Sequence, residues 1–183
     1  MALAYRQFGE AEADLLVDFL TRQSWPYHVF DSLSEELVRT NLAEGYYGSE
    51  STRTFWITDG KERVGLIRLE DLEGSTPMFD LRLAAEHCGR GIGGQSLGWL
   101  TRYLFTEFDE ISRVEGTTRQ DNTAMRRTFR SHGYVKEAHY RNAWPSSTGA
   151  VYDAIGYGIL RRDWLSGSRT PVRWDDEPTV ENC

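Results

Sequence analysis

Cysteine is nearly absent from this 183-residue chain, which has only Cys88 and Cys183. That excludes a disulfide framework, and no CxxC pair exists to hold a metal. The histidines His28, His87, His132 and His139 lack metal-ligand spacing, so no metal site is expected. No apolar run approaches the ~20 residues of a membrane span. The N-terminus lacks the basic-then-apolar order of a signal peptide. A cytoplasmic protein with no membrane partner is the expectation. Basic residues are also in deficit, with 21 Lys plus Arg against 28 Asp plus Glu and a net charge of -7. This balance argues against a nucleic-acid partner gripped by its phosphates, despite the cluster of Arg126, Arg127 and Arg130. An acidic surface mildly favours a cationic substrate such as an amine.

Glycine, by contrast, is concentrated at one place. Phe79–Leu83 reads as a strand, and from Gly93 onward Leu97, Leu100, Leu104 and Phe108 share one helical face. Between them lies Cys88-Gly89-Arg90-Gly91-Ile92-Gly93-Gly94. Glycines in such a turn let the backbone come close to a ligand, and a helix start attracts an anion. No Gly-Lys-[Ser/Thr] follows, so this is not a P-loop; Ser96 stands where a dinucleotide fingerprint needs its third glycine. The unit suggests a phosphate-bearing cofactor, with a tight turn that binds nothing as the alternative.

The rest of the chain reads as one domain over residues 1–165, with 166–183 as a flexible tail rich in Ser, Gly, Pro and Asp. Residues 2–8 suggest a strand, and Glu10 to Gln23 a helix with Leu15, Leu16, Phe19 and Leu20 on one face. Trp25-Pro26-Tyr27-His28-Val29-Phe30 interrupts it at a proline. This segment is either a hydrophobic cover of the core or a wall of a substrate pocket using Trp25 and His28. Ser32 with Glu35 suggests a capping box for a second helix. Thr54–Thr58 and Arg63–Leu69 flank Asp59-Gly60, a hairpin signal. Arg113–Thr118 reads as a strand, Asn122–Ser131 as a helix stopped by Gly133, and Tyr134–Trp144 and Ala150–Leu160 as two last strands. Trp144, placed in the loop between them, is a further candidate wall of the pocket. The order β-α-α-β-β-β-α-β-α-β-β implies an α/β (α+β) fold with a parallel pair around the glycine turn.

Three segments together resemble the GNAT superfamily of acyl-CoA-dependent N-acyltransferases. They are Cys88-Gly89-Arg90-Gly91-Ile92-Gly93, Asp121-Asn122-Thr123-Ala124 and Phe129-Arg130-Ser131-His132-Gly133-Tyr134. Within it, the run from Arg113 to Asn122 and the ending Tyr152 to Trp164 look like the ribosomal-protein N-acetyltransferase (RimJ/RimL) type. The resemblance implies a single mixed sheet flanked by helices, with acetyl-CoA as cofactor. It further implies a pyrophosphate held by Cys88, Gly89, Arg90, Gly91, Ile92, Gly93, Gly94 and Gln95. The pantetheine arm would lie along Leu83, Ala84 and Ala85, with Asn122 and Phe129 also beside the cofactor. The acceptor is an amine of a small molecule or peptide, and a homodimer is suggested by the aromatic content and the tail.

Acyl transfer to an amine requires a base, because a lysine-type amine with pKa ~10.4 is almost wholly protonated near neutrality. Candidates are Glu115, Asp80 and Glu70, in that order. Asp80 and Arg82 share one strand face and can simply pair. The family's usual acids are missing, since Phe129 replaces a tyrosine and Met125 a serine. Tyr134, Tyr140 or water is left for that role. Adjacent residues on an extended segment point apart, which argues against His87 and Cys88 as a nucleophile and its base. A CoA-binding sensor without turnover is the alternative function.

Overall fold

The computed structural model describes residues 3–174. Its strands are β1 (Leu3–Gln7), β2 (Arg53–Asp59), β3 (Glu62–Glu70), β4 (Met78–Leu83), β5 (Arg113–Arg119), β6 (Val135–Pro145) and β7 (Val151–Leu160). Helices α1 (Ala13–Thr21) and α2 (Glu35–Ala43) follow β1, and α3 (Ile92–Glu107) links β4 to β5. α4 (Thr123–Ser131) follows β5, and α5 (Arg161–Ser166) follows β7. Trp144 is thus part of β6, not of the loop after it.

The sheet is built as two antiparallel ladders, β1-β2-β3-β4 and β5-β7-β6. They are stitched where β4 and β5 begin. Ser112 N and Arg113 N donate to the Ser75 carbonyl at 3.0 and 3.3 Å, and Glu115 N donates to the Pro77 carbonyl at 3.0 Å. The two strands run parallel there, as a crossover through α3 demands. Beyond Pro77 no further backbone bond joins them among the described residues, and they part. The cause lies beneath the gap. Phe129 stacks on Tyr157 at 4.6 Å and leans on Phe79 at 6.0 Å. A Cβ on Gly116 would lie 2.7 Å from Phe129 and 2.9 Å from Phe79, so only glycine fits above this wedge.

Both faces of the first ladder are covered. Phe55, Ile57, Ile67 and Leu69 pack against Leu97, Leu100 and Leu104 of α3. Trp56 and Leu66 pack on the other side against Leu16, Leu20 and Val38. Double coverage explains the nearly continuous apolar runs of β2 and β3, and each such side chain contributes about 1.5–3 kcal/mol on burial.

Two local expectations are corrected. Leu15 is 45% exposed, and Val17 takes its place on the buried stripe of α1. The cap of α2 is Ser34, whose Oγ accepts from Leu37 N at 3.1 Å, not Ser32. At the other end, Trp164 packs on Phe105 and Asp163 accepts from Thr170 N at 2.7 Å. The last stretch of the expected tail, 175–183, lies outside the described residues.

Candidate active site

Along β4 the backbone alternates between its two neighbours. Even-numbered residues face β3, and Ala84 N continues that side by donating to the Val64 carbonyl at 3.0 Å. Odd-numbered residues face β5. Ser75 and Pro77 find it, whereas no bond to β5 is formed by Phe79, Leu81 or Leu83. The splay therefore presents unpaired main-chain groups, which a folded chain leaves open only where something else satisfies them.

The open edge ends in the glycine turn. Gly89 and Gly91 adopt left-handed φ of +76° and +80°, a region other residues enter at a cost of about 1–2 kcal/mol. A Cβ on either would meet nothing within 4 Å, so the turn faces open space. Gly91 is the N-cap of α3 and no side chain caps it. The first helical bond is Gln95 N to the Gly91 carbonyl at 3.1 Å, so the amides of Ile92, Gly93 and Gly94 have no partner within the helix. Arg90 is not a loose loop arginine. Its Nη1 meets His87 Nδ1 at 3.0 Å, and His87 Nε2 meets Glu62 at 3.3 Å.

Across the opposite face of the splay lies the α1–α2 connection, residues 25–30. It is tied to both strands. His28 Nε2 meets Asp80 Oδ1 on β4 at 3.0 Å, and Arg119 Nη1 on β5 donates to the Pro26 carbonyl at 2.9 Å. Arg119 also lies 3.8 Å from the Tyr152 ring and 5.2 Å from the Tyr27 ring, and it grips Asp121 at 2.6 Å. Trp144 pairs with Tyr152 across β6 and β7, which places it on this same face. The connection is thus a strap over the splay.

A cleft between diverging parallel strands, with an uncapped helix start at one end, has the shape and free amides to take a phosphate-bearing molecule. Comparison with known proteins gives the family. A profile of the acetyltransferase (GNAT) domain matches residues 3–135. The chain belongs to the GNAT acetyltransferase family. Among solved structures it is similar to spermidine N-acetyltransferase from Vibrio cholerae in complex with CoA and spermine. That match has 18% identity, a TM-score of 0.75, and covers 89% of this chain and 98% of that one. It is also similar to RimL, a ribosomal L7/L12 alpha-N-protein acetyltransferase in complex with coenzyme A. Here identity is 19%, the TM-score 0.76, and coverage 87% of this chain and 94% of that one. At these identities the likeness speaks for the fold. No curated protein sequence matches the chain.

As a GNAT member the chain is an acyl-CoA-dependent acetyltransferase, and its residues fit acetyl-CoA. Two left-handed glycines open to solvent and an uncapped helix start suit a pyrophosphate, and the free edge of β4 suits an amide-bearing arm. Some residues expected beside the cofactor have other duties. The Ala84 amide is used by β3. Asn122 caps α4, its Oδ1 accepting from Met125 N and its Nδ2 donating to Thr118, both at 3.1 Å. Phe129 is 1% exposed and belongs to the core wedge. Gly94 makes room for His132, whose Cε1 would stand 3.0 Å from a Cβ there. The Cys88 thiol turns back toward the carbonyls of Ala84 and Leu83, at 3.7 and 4.0 Å, and burial followed by the nearby Glu86 charge pushes its pKa up. It is no activated nucleophile.

The carboxylates fare similarly. Glu115, ranked first, sits at the stitched end of the splay and is held by Arg113 at 2.5 Å. Glu70 is paired with Arg68 at 2.9 Å, and Arg68 also reaches the Tyr46 hydroxyl at 2.7 Å. Asp80 takes His28 on one oxygen and Arg82 Nε on the other at 2.9 Å. Burial alone would raise its pKa, but the charges and hydrogen bonds of Arg82 and His28 outweigh that and hold it well below the usual carboxylate range. None of the three is a free base. Tyr134 is no acid either, being buried with its hydroxyl on Thr101 at 2.8 Å and its pKa pushed up by burial. Trp25, at the start of the strap, is 2% exposed and turns inward, donating to the Leu20 carbonyl at 3.0 Å. It supports the wall without forming its surface. Sequence reading missed Arg119, which carried no signal beyond its place in the resemblance to the RimJ/RimL type.

Proposed function

We propose that this acetyltransferase moves the acetyl group of acetyl-CoA to the amine of a small molecule or a protein N-terminus, by direct attack with both substrates held at the splay. The observation that carries this reading is the run of unpaired β4 backbone between the glycine turn and the strap. When bound, acetyl-CoA supplies the thioester carbonyl that is attacked. The amides of Ile92, Gly93 and Gly94 hold the pyrophosphate, with Arg90 set beside them by His87 and Glu62. The main chain of Leu81 and Leu83 pairs the pantetheine amides and offers an N–H to the carbonyl oxygen as negative charge develops. Tyr27, His28, Tyr152 and Trp144 wall the acceptor side. No dedicated acid is needed, because a thiolate of ordinary pKa about 8.5 leaves readily and takes its proton from solvent.

The two kinds of acceptor are those named for the similar enzymes, a polyamine and a protein α-amine. Among the described residues no helix is long and apolar enough to cross a membrane, in keeping with action in the cytoplasm. A homodimer would form along the outer edge of β6, where residues 139–143 are exposed. Sedimentation tests it. The deciding experiment is thiol release from acetyl-CoA against polyamines, amino acids, aminoglycosides and peptides with free N-termini. Release that depends on one acceptor class establishes the reading. The pairing of Glu115, Glu70 and Asp80 with arginines favours the second reading, a CoA-binding module without turnover. Tight CoA binding with no release from any amine would establish that instead.

A further inference from the structure

We propose that His28, held in place by Asp80, is the general base that takes the proton of the acceptor amine. This rests on the transferase reading above and names the residue that the three carboxylates leave unassigned. An ionised carboxylate only accepts, so Asp80 fixes the tautomer: His28 Nε2 carries the hydrogen and donates at 3.0 Å. In the neutral ring Nδ1 then keeps its lone pair, and Nδ1 is buried with no hydrogen-bond partner. A buried acceptor left without a donor is costly, and an acceptor N–H in the splay is the partner that relieves it. The imidazole is one-quarter exposed while Nδ1 itself is covered. A seated amine or one relay water reaches Nδ1 through a small turn of the ring or shift of the strap. Arg82 Nη1, on the other side of the same carboxylate, is likewise buried and unpartnered.

The groups facing His28 are Asp80 and Arg82 from β4 and the edge of Trp25 from its own strap. Arg119 of β5 reaches the strap through the Pro26 carbonyl, and Tyr46, Arg68 and Glu70 complete the surrounding charge cluster. The step balances. The amine nitrogen bonds to the thioester carbon, its proton passes to His28 Nδ1, and the C–S bond breaks with its electron pair left on sulfur. The imidazolium then returns the proton to the thiolate or to solvent. Asp80 touches no reacting atom and acts as a positioning residue.

The test is steady-state acetylation of the responsive amine by H28A, H28Q and D80N, with CoA affinity measured in parallel by calorimetry. General-base loss predicts a fall in kcat of about 100-fold or more for H28A and H28Q. CoA affinity is expected to stay within about twofold, and added imidazole to restore part of the H28A rate. D80N should keep binding but lower kcat, with nitrogen-15 spectra showing both imidazole tautomers, because the ring is no longer held by a carboxylate. Nitrogen-15 spectra of wild-type protein should show the Nε2–H tautomer, with Nδ1 perturbed when the amine is added. H28A or H28Q within about threefold of wild type overturns the proposal. So does a loss confined to KM, with the pH profile unchanged and no imidazole rescue, or an Nδ1 signal unmoved by amine. Wild-type protein that binds CoA yet acetylates no amine removes the transferase reading, and this inference with it.

Discussion

The two sides of β4 are built from different materials. Toward the glycine turn the site is main chain: left-handed Gly89 and Gly91, the uncapped start of α3, and the idle edge at Leu81 and Leu83. Toward the strap it is side chain: His28 on Asp80, Asp80 on Arg82, and Arg119 on the Pro26 carbonyl. Main-chain recognition depends on backbone shape and tolerates changes in the surrounding side chains, so it suits a donor common to a large family. Side-chain recognition changes with each substitution, so it suits an acceptor that differs from one member to the next. Donor binding and acceptor binding should therefore be separable by mutation.

The sharpest way to break that separation is Gly91→Val. A branched residue at φ +80° costs about 1–2 kcal/mol in strain and crowds the free amides, so CoA affinity should fall by about 30-fold or more by calorimetry. The fold should survive by circular dichroism, because a Cβ there meets nothing. Arg119→Ala comes next. Losing its charged bond to the Pro26 carbonyl should raise KM for the acceptor about 10-fold and leave CoA affinity nearly unchanged. Equal losses of both would show that strap and turn are one unit.

A third change should touch neither side. Glu12 accepts from Arg6 at 2.5 Å, from Arg63 and Trp56 at 3.2 Å, and weakly from Gly9 N. Chiefly the Arg6 bond, opposed by partial burial, lowers its pKa from 4.5 to about 2. A lowered folded-state pKa means stability that is whole above pH 4.5 and is lost as pH falls toward 2. Glu12→Gln should cost only about 1 kcal/mol at pH 7, given solvent screening. The difference from wild type should close through that acidic window in denaturant titrations, with neither substrate affinity altered. Cys88→Ser should do least: turnover within about twofold, as expected where the thiol is not ionised. A large loss there would revive acyl-cysteine chemistry and undo the assignment of His28.

The strands, the helix after the glycine turn and the stop at Gly133 were legible because each rests on local periodicity or a local turn residue. The glycine turn itself was legible for the same reason: φ above zero is a property of a few neighbouring residues. The short α5 was missed because its six residues show less than two turns of pattern. Ser34 displaced Ser32 as the cap of α2 for a reason of equally short range. The helix begins at Glu35, and a cap must directly precede it.

Choosing among the catalytic candidates needed more than local pattern. Each carboxylate meets an arginine two residues away along its own strand face; that pairing was expected for Asp80 with Arg82 but not for Glu115 with Arg113 or Glu70 with Arg68. His28 lies 52 positions from Asp80 and Arg119 lies 93 from Pro26, distances over which no local pattern operates. The sequence by itself determined the elements, the glycine turn and the family, because these follow from neighbours along the chain. Tertiary structure alone decided where β4 and β5 part, since the wedge of Phe79 and Phe129 under Gly116 comes from three separate segments. It also decided which carboxylates were taken by arginines and that a buried nitrogen of His28 is left without a hydrogen-bond partner.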